Sequence, residues 1–197
     1  MKPHFAFRTR MLTTAVAGLL TQLPLLAATI ELATFTSAES LKSWTSVNDG
    51  VMGGISTGGF KRTEQGTLLF SGVLSLENNG GFASVRSPAV RQDLAGLEAF
   101  VLRVRGDGRR YKFTVRTESG FDAPIYQCGF LTRRGEWQEH RLLFKDFVPR
   151  FRGRVLSDVP PLKPARVASV GFLISEKQAG PFELEVAWIK AAPALGK

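Results

Sequence analysis

Three glycines within five residues, beside an amide and a carboxylate, mark the first segment equipped for chemistry: Trp44-Thr45-Ser46-Val47-Asn48-Asp49-Gly50-Val51-Met52-Gly53-Gly54-Ile55-Ser56. Glycine opens backbone angles closed to other residues, and Asn and Asp supply oxygen atoms. Asn48, Asp49, Gly50, Gly53 and Gly54 therefore fit two readings. One is a ligand loop with an oxygen-rich cation site; the other is a tight, packed loop leading into a core strand. A calcium loop would carry more carboxylates. Asn78-Asn79-Gly80-Gly81-Phe82 poses the same choice. A second group is cationic: Arg150, Arg152 and Arg154 stand two apart. In extended chain such residues share a face and would form a compact anion-binding strip. Arg103, Arg105, Lys112 and Arg116 would add a basic patch, or both groups are solvated faces with local salt bridges.

Catalytic side chains are scarce. His4 lies in the N-terminal leader, so His140 is the one histidine of the mature chain, and Cys128 is the one cysteine. A single cysteine makes no intramolecular disulfide and no cysteine-based zinc site. In Tyr126-Gln127-Cys128-Gly129-Phe130 it reads as a buried, inert thiol. The chain has no nucleophile elbow, P-loop or dinucleotide fingerprint, and no RNA- or DNA-reading motif. These features argue against an enzyme and against a nucleic-acid partner, and no catalytic, cofactor or metal residue is assigned. Trp44, Trp137 and Trp188 are candidates for a sugar-stacking platform, although Trp188 shares an expected strand face with Phe182, Leu184 and Val186 and reads as core.

The elements that must position these residues are strands. Phe100, Leu102 and Val104 alternate with Val101, Arg103 and Arg105; Tyr111, Phe113 and Val115 alternate with Lys112, Thr114 and Arg116. Gly106-Asp107-Gly108 between them predicts a β-hairpin over 98–117 with one apolar and one basic face. Period two recurs over 68–76, 82–85, 137–144, 167–174 and 182–188, and residues 40–43 fit one short helical turn. Pro149, Pro160, Pro161 and Pro164 mark 149–166 as a long ordered loop crossing between sheets. Many short strands with one-sided apolar faces imply two packed antiparallel sheets, an all-β sandwich.

Length and composition agree. A chain of 197 residues with 44% hydrophobic residues and 15 Phe can bury a sizeable core, so it is a folded domain and not a disordered tract. Its net charge of +9 favours an anionic surface as partner. Residues 1–28 combine a basic start (Lys2, Arg8, Arg10), an apolar run MLTTAVAGLLTQL and a small-residue end. That is an export signal, cleaved or kept as an anchor, and predicts a periplasmic protein; a mitochondrial presequence or a membrane anchor is the alternative. The domain is expected over 31–190, with 191–197 a frayed tail.

Five blocks in this order and spacing resemble the complex I intermediate-associated protein 30 family: Trp44 with VNDGVMGGIS; GGFASVRS at 80–87; LRVRGDGRRYKF at 102–113; Trp137 with FVPRFRGRVL at 147–156; and VGFLISEKQAGPFELEVAWI at 170–189. The resemblance implies a galactose-binding-like jelly roll and a chaperone-like factor in assembly of respiratory complex I (NADH:ubiquinone oxidoreductase). It carries over no catalytic residue and no ligand set. The expected function is thus a non-catalytic assembly factor that binds a protein partner, a membrane-complex subunit. Its contact residues would be Asn48, Asp49, Gly50, Gly53, Gly54, Arg150, Arg152 and Arg154. An exported carbohydrate-binding module is the alternative.

Overall fold

The computed structural model describes residues 28–118, 120 and 123–195. The expected leader at 1–28 therefore lies outside the described residues save for Ala28. Thirteen strands follow in order: β1 Ile30–Thr34, β2 Thr45–Asn48, β3 Thr57–Arg62, β4 Leu68–Leu74, β5 Ala83–Arg86, β6 Ala99–Gly106, β7 Arg110–Arg116, β8 Ile125–Leu131, β9 Trp137–Leu143, β10 Val148–Phe151, β11 Arg154–Val155, β12 Ser169–Ile174 and β13 Gly180–Ala192. Short 3₁₀ turns join some of them, one at Ala38–Leu41 where a helical turn was expected.

Two antiparallel sheets form a jelly-roll sandwich. The six-stranded sheet runs β3-β4-β13-β6-β9 with β1 added beside β13; the seven-stranded sheet runs β11-β10-β8-β7-β12-β5-β2. Alternation puts one face of each strand inside, and the two inner faces meet in a phenylalanine-rich core. Phe100 of β6 packs edge-on against Phe113 of β7 at 5.0 Å, and Phe113 against Phe172 of β12 at 5.3 Å. Phe144, in the turn after β9, closes on Phe100 at 4.7 Å. Burying one such ring contributes roughly 1.5–3 kcal/mol, before any gain from edge-to-face geometry.

The contact between Phe100 and Phe113 corrects the hairpin expected over 98–117. β6 pairs with β13 and β9, whereas β7 pairs with β12 and β8, so Asp107 to Arg109 arch from one sheet to the other. Distant groups hold the arch. Asp107 accepts hydrogen bonds from the Arg109 amide (3.0 Å), the Tyr111 hydroxyl (3.1 Å) and the Glu183 amide (3.0 Å). Thr132 Oγ1 accepts from the Gly108 amide (3.1 Å) and lies 2.9 Å from the Arg109 carbonyl. The arch lets both apolar faces bury against each other.

Three further expectations change. A β-bulge between Val186 and Trp188 shifts the β13 register, so Ile189 and Ala191 face the core and Trp188 turns to the outer face. At the bulge β13 also exchanges its neighbour, β4 before it and β1 after it. The segment 149–166 is not one loop: it opens with the β10–β11 hairpin and then returns to β12 of the same sheet, pinned by the Tyr126 hydroxyl to the Pro160 carbonyl (2.9 Å) and by buried Leu162. Finally, β13 continues through Ala192, which moves the expected tail boundary from 191 to 193 because Ala191 and Ala192 are buried.

Candidate functional site

Asp49 organises the first glycine segment. It opens the 3₁₀ turn Asp49–Met52 after β2, and only 1% of it is exposed. Oδ1 accepts from the Ser56 amide at 2.9 Å. Oδ2 accepts from the Ser56 hydroxyl at 2.5 Å, the Gly81 amide at 2.6 Å and the Phe82 amide at 3.3 Å. Burial would raise its pKa; the hydrogen bonds from Ser56, Gly81 and Phe82 outweigh burial and hold the carboxyl below its ordinary range. A Cβ on Gly54 would stand 2.4 Å from Asp49 Cγ, and one on Gly80 2.6 Å from Oδ2. The two glycine clusters, far apart in sequence, are thus two walls around one carboxylate. Its lone pairs are engaged by its own chain, which is the tight, packed loop rather than an oxygen site open to a cation. Asn48 donates from Nδ2 to the Gly58 carbonyl at 2.9 Å, and its buried Oδ1 has no hydrogen-bond partner. Among the described residues no three His, Cys, Asp or Glu come together as metal donors.

What this pin presents is apolar. Val51 is 60% exposed, Met52 63% and Ile55 51%. Ile55 lines an open groove with Thr57, Val73, Leu76, Glu77 and Ala179, and Val73 and Leu76 are themselves exposed. Large apolar residues grouped on a surface mark an interaction site more often than chance exposure does. Sequence reasoning passed over them, although a Val-Met pair inside an Asn/Asp/Gly loop, where polar residues belong, was the available signal.

The arginine strip is rearranged. Arg152 and Gly153 both have positive φ, 46° and 81°, and form the two-residue turn of a hairpin that pairs Arg150 with Val155 and Phe151 with Arg154. Arg150 and Arg154 therefore lie on opposite faces, and Arg152 sits at the tip with its guanidinium 5.2 Å from the Phe151 ring. The expectation of one shared face fails because the chain reverses there. The hairpin and the Asp49 loop also stand at opposite edges of the seven-stranded sheet, β10–β11 against β2. At about 4.8 Å per strand, β2 and β10 are roughly 24 Å apart.

The second basic group divides between the sheets. Arg103 pairs with Glu139 at 3.2 Å, and Arg105 with Glu185, which also accepts from Thr67 at 2.5 Å. Lys112 and Arg116 belong to the other sheet, where Lys112 meets Glu176 at 2.8 Å. Of the tryptophans, Trp44 is core and packs on Phe35 at 5.6 Å. Trp137 carries the Arg105 guanidinium over its ring at 5.1 Å, and Trp188 carries the Lys190 ammonium at 4.4 Å. His140 lies beside Phe130 with a buried, unpartnered Nε2, and burial lowers its pKa. Cys128 is half-buried, and burial, then Asp146, pushes its thiol up to about 11, the inert thiol expected.

Comparison with known proteins adds three findings. The family model described as complex I intermediate-associated protein 30 matches residues 33–186. The mitochondrial protein of that name from Drosophila melanogaster is 30% identical over 177 residues, covering 79% of this chain and 60% of that protein. Its counterpart from Mus musculus is 30% identical over 175 residues, covering 79% and 53%. The chain thus spans little more than half the length of these curated relatives. Among solved structures, a family 11 carbohydrate-binding module from Clostridium thermocellum, in complex with a β-1,3-1,4-mixed-linked tetrasaccharide, superposes with TM-score 0.63 at 15% identity, covering 86% of this chain and 98% of that one. An agarase superposes at TM-score 0.59 and 9% identity, covering 87% and 25%. These likenesses describe the fold.

Proposed function

The chain belongs to the complex I intermediate-associated protein 30 family, and from that premise we propose that it is a non-catalytic assembly factor that holds a protein subunit of a membrane complex of the complex I type. The observation that carries the reading is the exposed Val51, Met52 and Ile55, set on a loop that the buried Asp49 carboxylate holds rigid. A preformed apolar contact loses little conformational entropy on binding, which suits a protein that must hold a subunit and release it. The partner surface it fits is apolar, with the glycine-loop backbone of Gly50, Gly53 and Gly54 at its rim. The arginine hairpin is a second contact.

The relatives' names place those proteins in mitochondria, which supports the mitochondrial alternative for this chain and lends no support to export. A carbohydrate-binding role rests on the shared fold alone. Trp44 is core, and cations already cover a face of Trp137 and of Trp188.

The test is affinity purification of the full chain from its native cells. Recovery of a membrane-complex subunit is expected, and it should fall about tenfold for Met52→Ser with Ile55→Ser, a change of about 1.4 kcal/mol. Replacing Arg150, Arg152 and Arg154 together should weaken recovery further. Wild-type recovery of no complex subunit, or unchanged recovery by the Met52/Ile55 variant, would reject the reading or its contact surface respectively.

A further inference from the structure

The two outer faces of the sandwich differ in how their charges are matched. On the six-stranded sheet Arg103 and Arg105 each meet a glutamate, while Arg141 on the same face donates to the Pro193 carbonyl and Lys190 lies over the Trp188 ring. The outer face of the seven-stranded sheet carries Arg86, Arg110, Lys112, Arg116 and Arg150; among the described residues only Lys112 forms an ion pair, with Glu176, whose carboxylate also feels Arg110 and Arg150 from further off. Arg116 donates to the Gly120 carbonyl at 3.3 Å and Arg150 to the Gly153 carbonyl at 3.0 Å; neither bond neutralises charge. The Arg86 side chain makes no hydrogen bond or ion pair to the described residues.

Register places three of these arginines in a line across the strands. Arg86 on β5 is paired with Gly171 on β12, which is paired with Thr114 on β7. Arg116, two residues further along β7, is paired with Ile125 on β8, which is paired with Arg150 on β10. Arg86, Arg116 and Arg150 therefore recur every second strand, about 12 Å apart for the first two, which are offset along the strands, and about 10 Å for the last two. Arg116 also feels the crowding: burial, then the neighbouring Arg86, lowers its pKa. Keeping unpaired arginines together in this way opposes folding, and the arrangement is relieved when an anion lies across them.

We propose that this face binds an extended acidic segment of a protein partner, laid across the strands with carboxylates on Arg86, Arg116 and Arg150. The proposal rests on the protein-partner reading above and adds the chemistry of the second contact. A linear row of guanidiniums fits a chain better than a point anion. An acidic residue at every third position of a polyproline II segment recurs at about 9 Å, close to the Arg116–Arg150 interval, and the long arginine side chains span the difference at Arg86. Each planar guanidinium can grip a carboxylate through two N–H donors.

The test uses the full chain and a labelled peptide of Glu-Pro-Pro repeats, followed by fluorescence anisotropy at low and at physiological salt. Binding is expected, weakened by salt, and absent for Gln-Pro-Pro repeats. Arg86→Gln with Arg116→Gln should weaken it at least tenfold while the thermal midpoint stays level or rises, because two like charges are removed. Arg103→Gln on the other sheet should leave it unchanged. No binding of the Glu-Pro-Pro peptide, equal binding of the Gln-Pro-Pro peptide, or full binding by the double variant would each overturn the proposal. So would uptake on phosphatidylglycerol vesicles without peptide binding, which would make the face a membrane surface. If subunit recovery persists while peptide binding fails, this face is refuted and the assembly reading stands; if wild-type recovery fails, the reading itself is refuted.

Discussion

At the scale of the residue, Asp49 has the largest local consequence. Its carboxylate joins the turn after β2 to the segment before β5 through Ser56, Gly81 and Phe82. Asp49→Ala would strand those buried donors and is expected to cost about 3 kcal/mol, measured by urea unfolding at neutral pH. The pH dependence follows from the direction of its shift. The native pKa lies below the ordinary value of 3.8, so the contribution is complete above that pH and is lost as pH falls through the lower native value. Wild-type stability should therefore fall with acid below about pH 4, and Asp49→Asn should show a shallower acid slope over that window. An equal slope in the two proteins would show that another group governs the acid limb. This residue was legible in the sequence only as one of two alternatives, since Gly80 and Gly81, its other wall, sit some thirty residues further along the chain.

At the scale of the element, strand-to-strand fit decides what each position tolerates. A Cβ on Gly171 of β12 would stand 2.1 Å from the Val85 carbonyl oxygen on β5. Gly129 of β8 has nothing nearer than 3.7 Å. Gly171→Ala should therefore cost about 3 kcal/mol, whereas Gly129→Ala should fall within about 0.5 kcal/mol of wild type, both read by thermal unfolding. Equal effects would mean that β5 and β12 can part to make room. Both glycines sit in alternating runs and look alike in sequence. Only the β5–β12 pairing tells them apart, and that pairing joins residues nearly ninety positions apart. The same dependence on remote partners explains Trp188: the bulge that turns it outward lies where β13 exchanges β4 for β1, a junction that no local pattern marks.

At the scale of the molecule, the two sheets are one cooperative unit because their inner faces share a ring cluster. Phe100 of the six-stranded sheet touches Phe113 of the seven-stranded sheet and Phe144 and Phe147 from the turn after β9. Phe100→Ala should cost about 4 kcal/mol and lower the unfolding midpoint measured by both near- and far-ultraviolet circular dichroism together. Loss of the near-ultraviolet signal at a lower temperature than the far-ultraviolet signal would show that the sheets come apart in separate steps. The outer faces divide the remaining labour. One carries the Arg103–Glu139 and Arg105–Glu185 pairs and covered tryptophans, the other a row of arginines without an ion pair among the described residues, and the Asp49 loop presents its apolar residues at the edge of the second.

The sequence by itself determined sidedness. Period two fixes which residues point inward, because successive Cβ atoms in a strand point to opposite faces whatever lies beside them. Phe113, Val115, Leu184 and Val186 were readable as core on that ground, and with them the all-β sandwich. Tertiary structure decided adjacency. Whether β6 and β7 form a hairpin or an arch, whether Arg150 joins Arg154 or Arg116, and which carboxylate two glycine clusters enclose are all matters of which distant backbone groups hydrogen-bond to one another. Alternation is a property of the single strand and survives in any neighbourhood; neighbourhood is a property of pairs, and the burial of the whole apolar surface selects it.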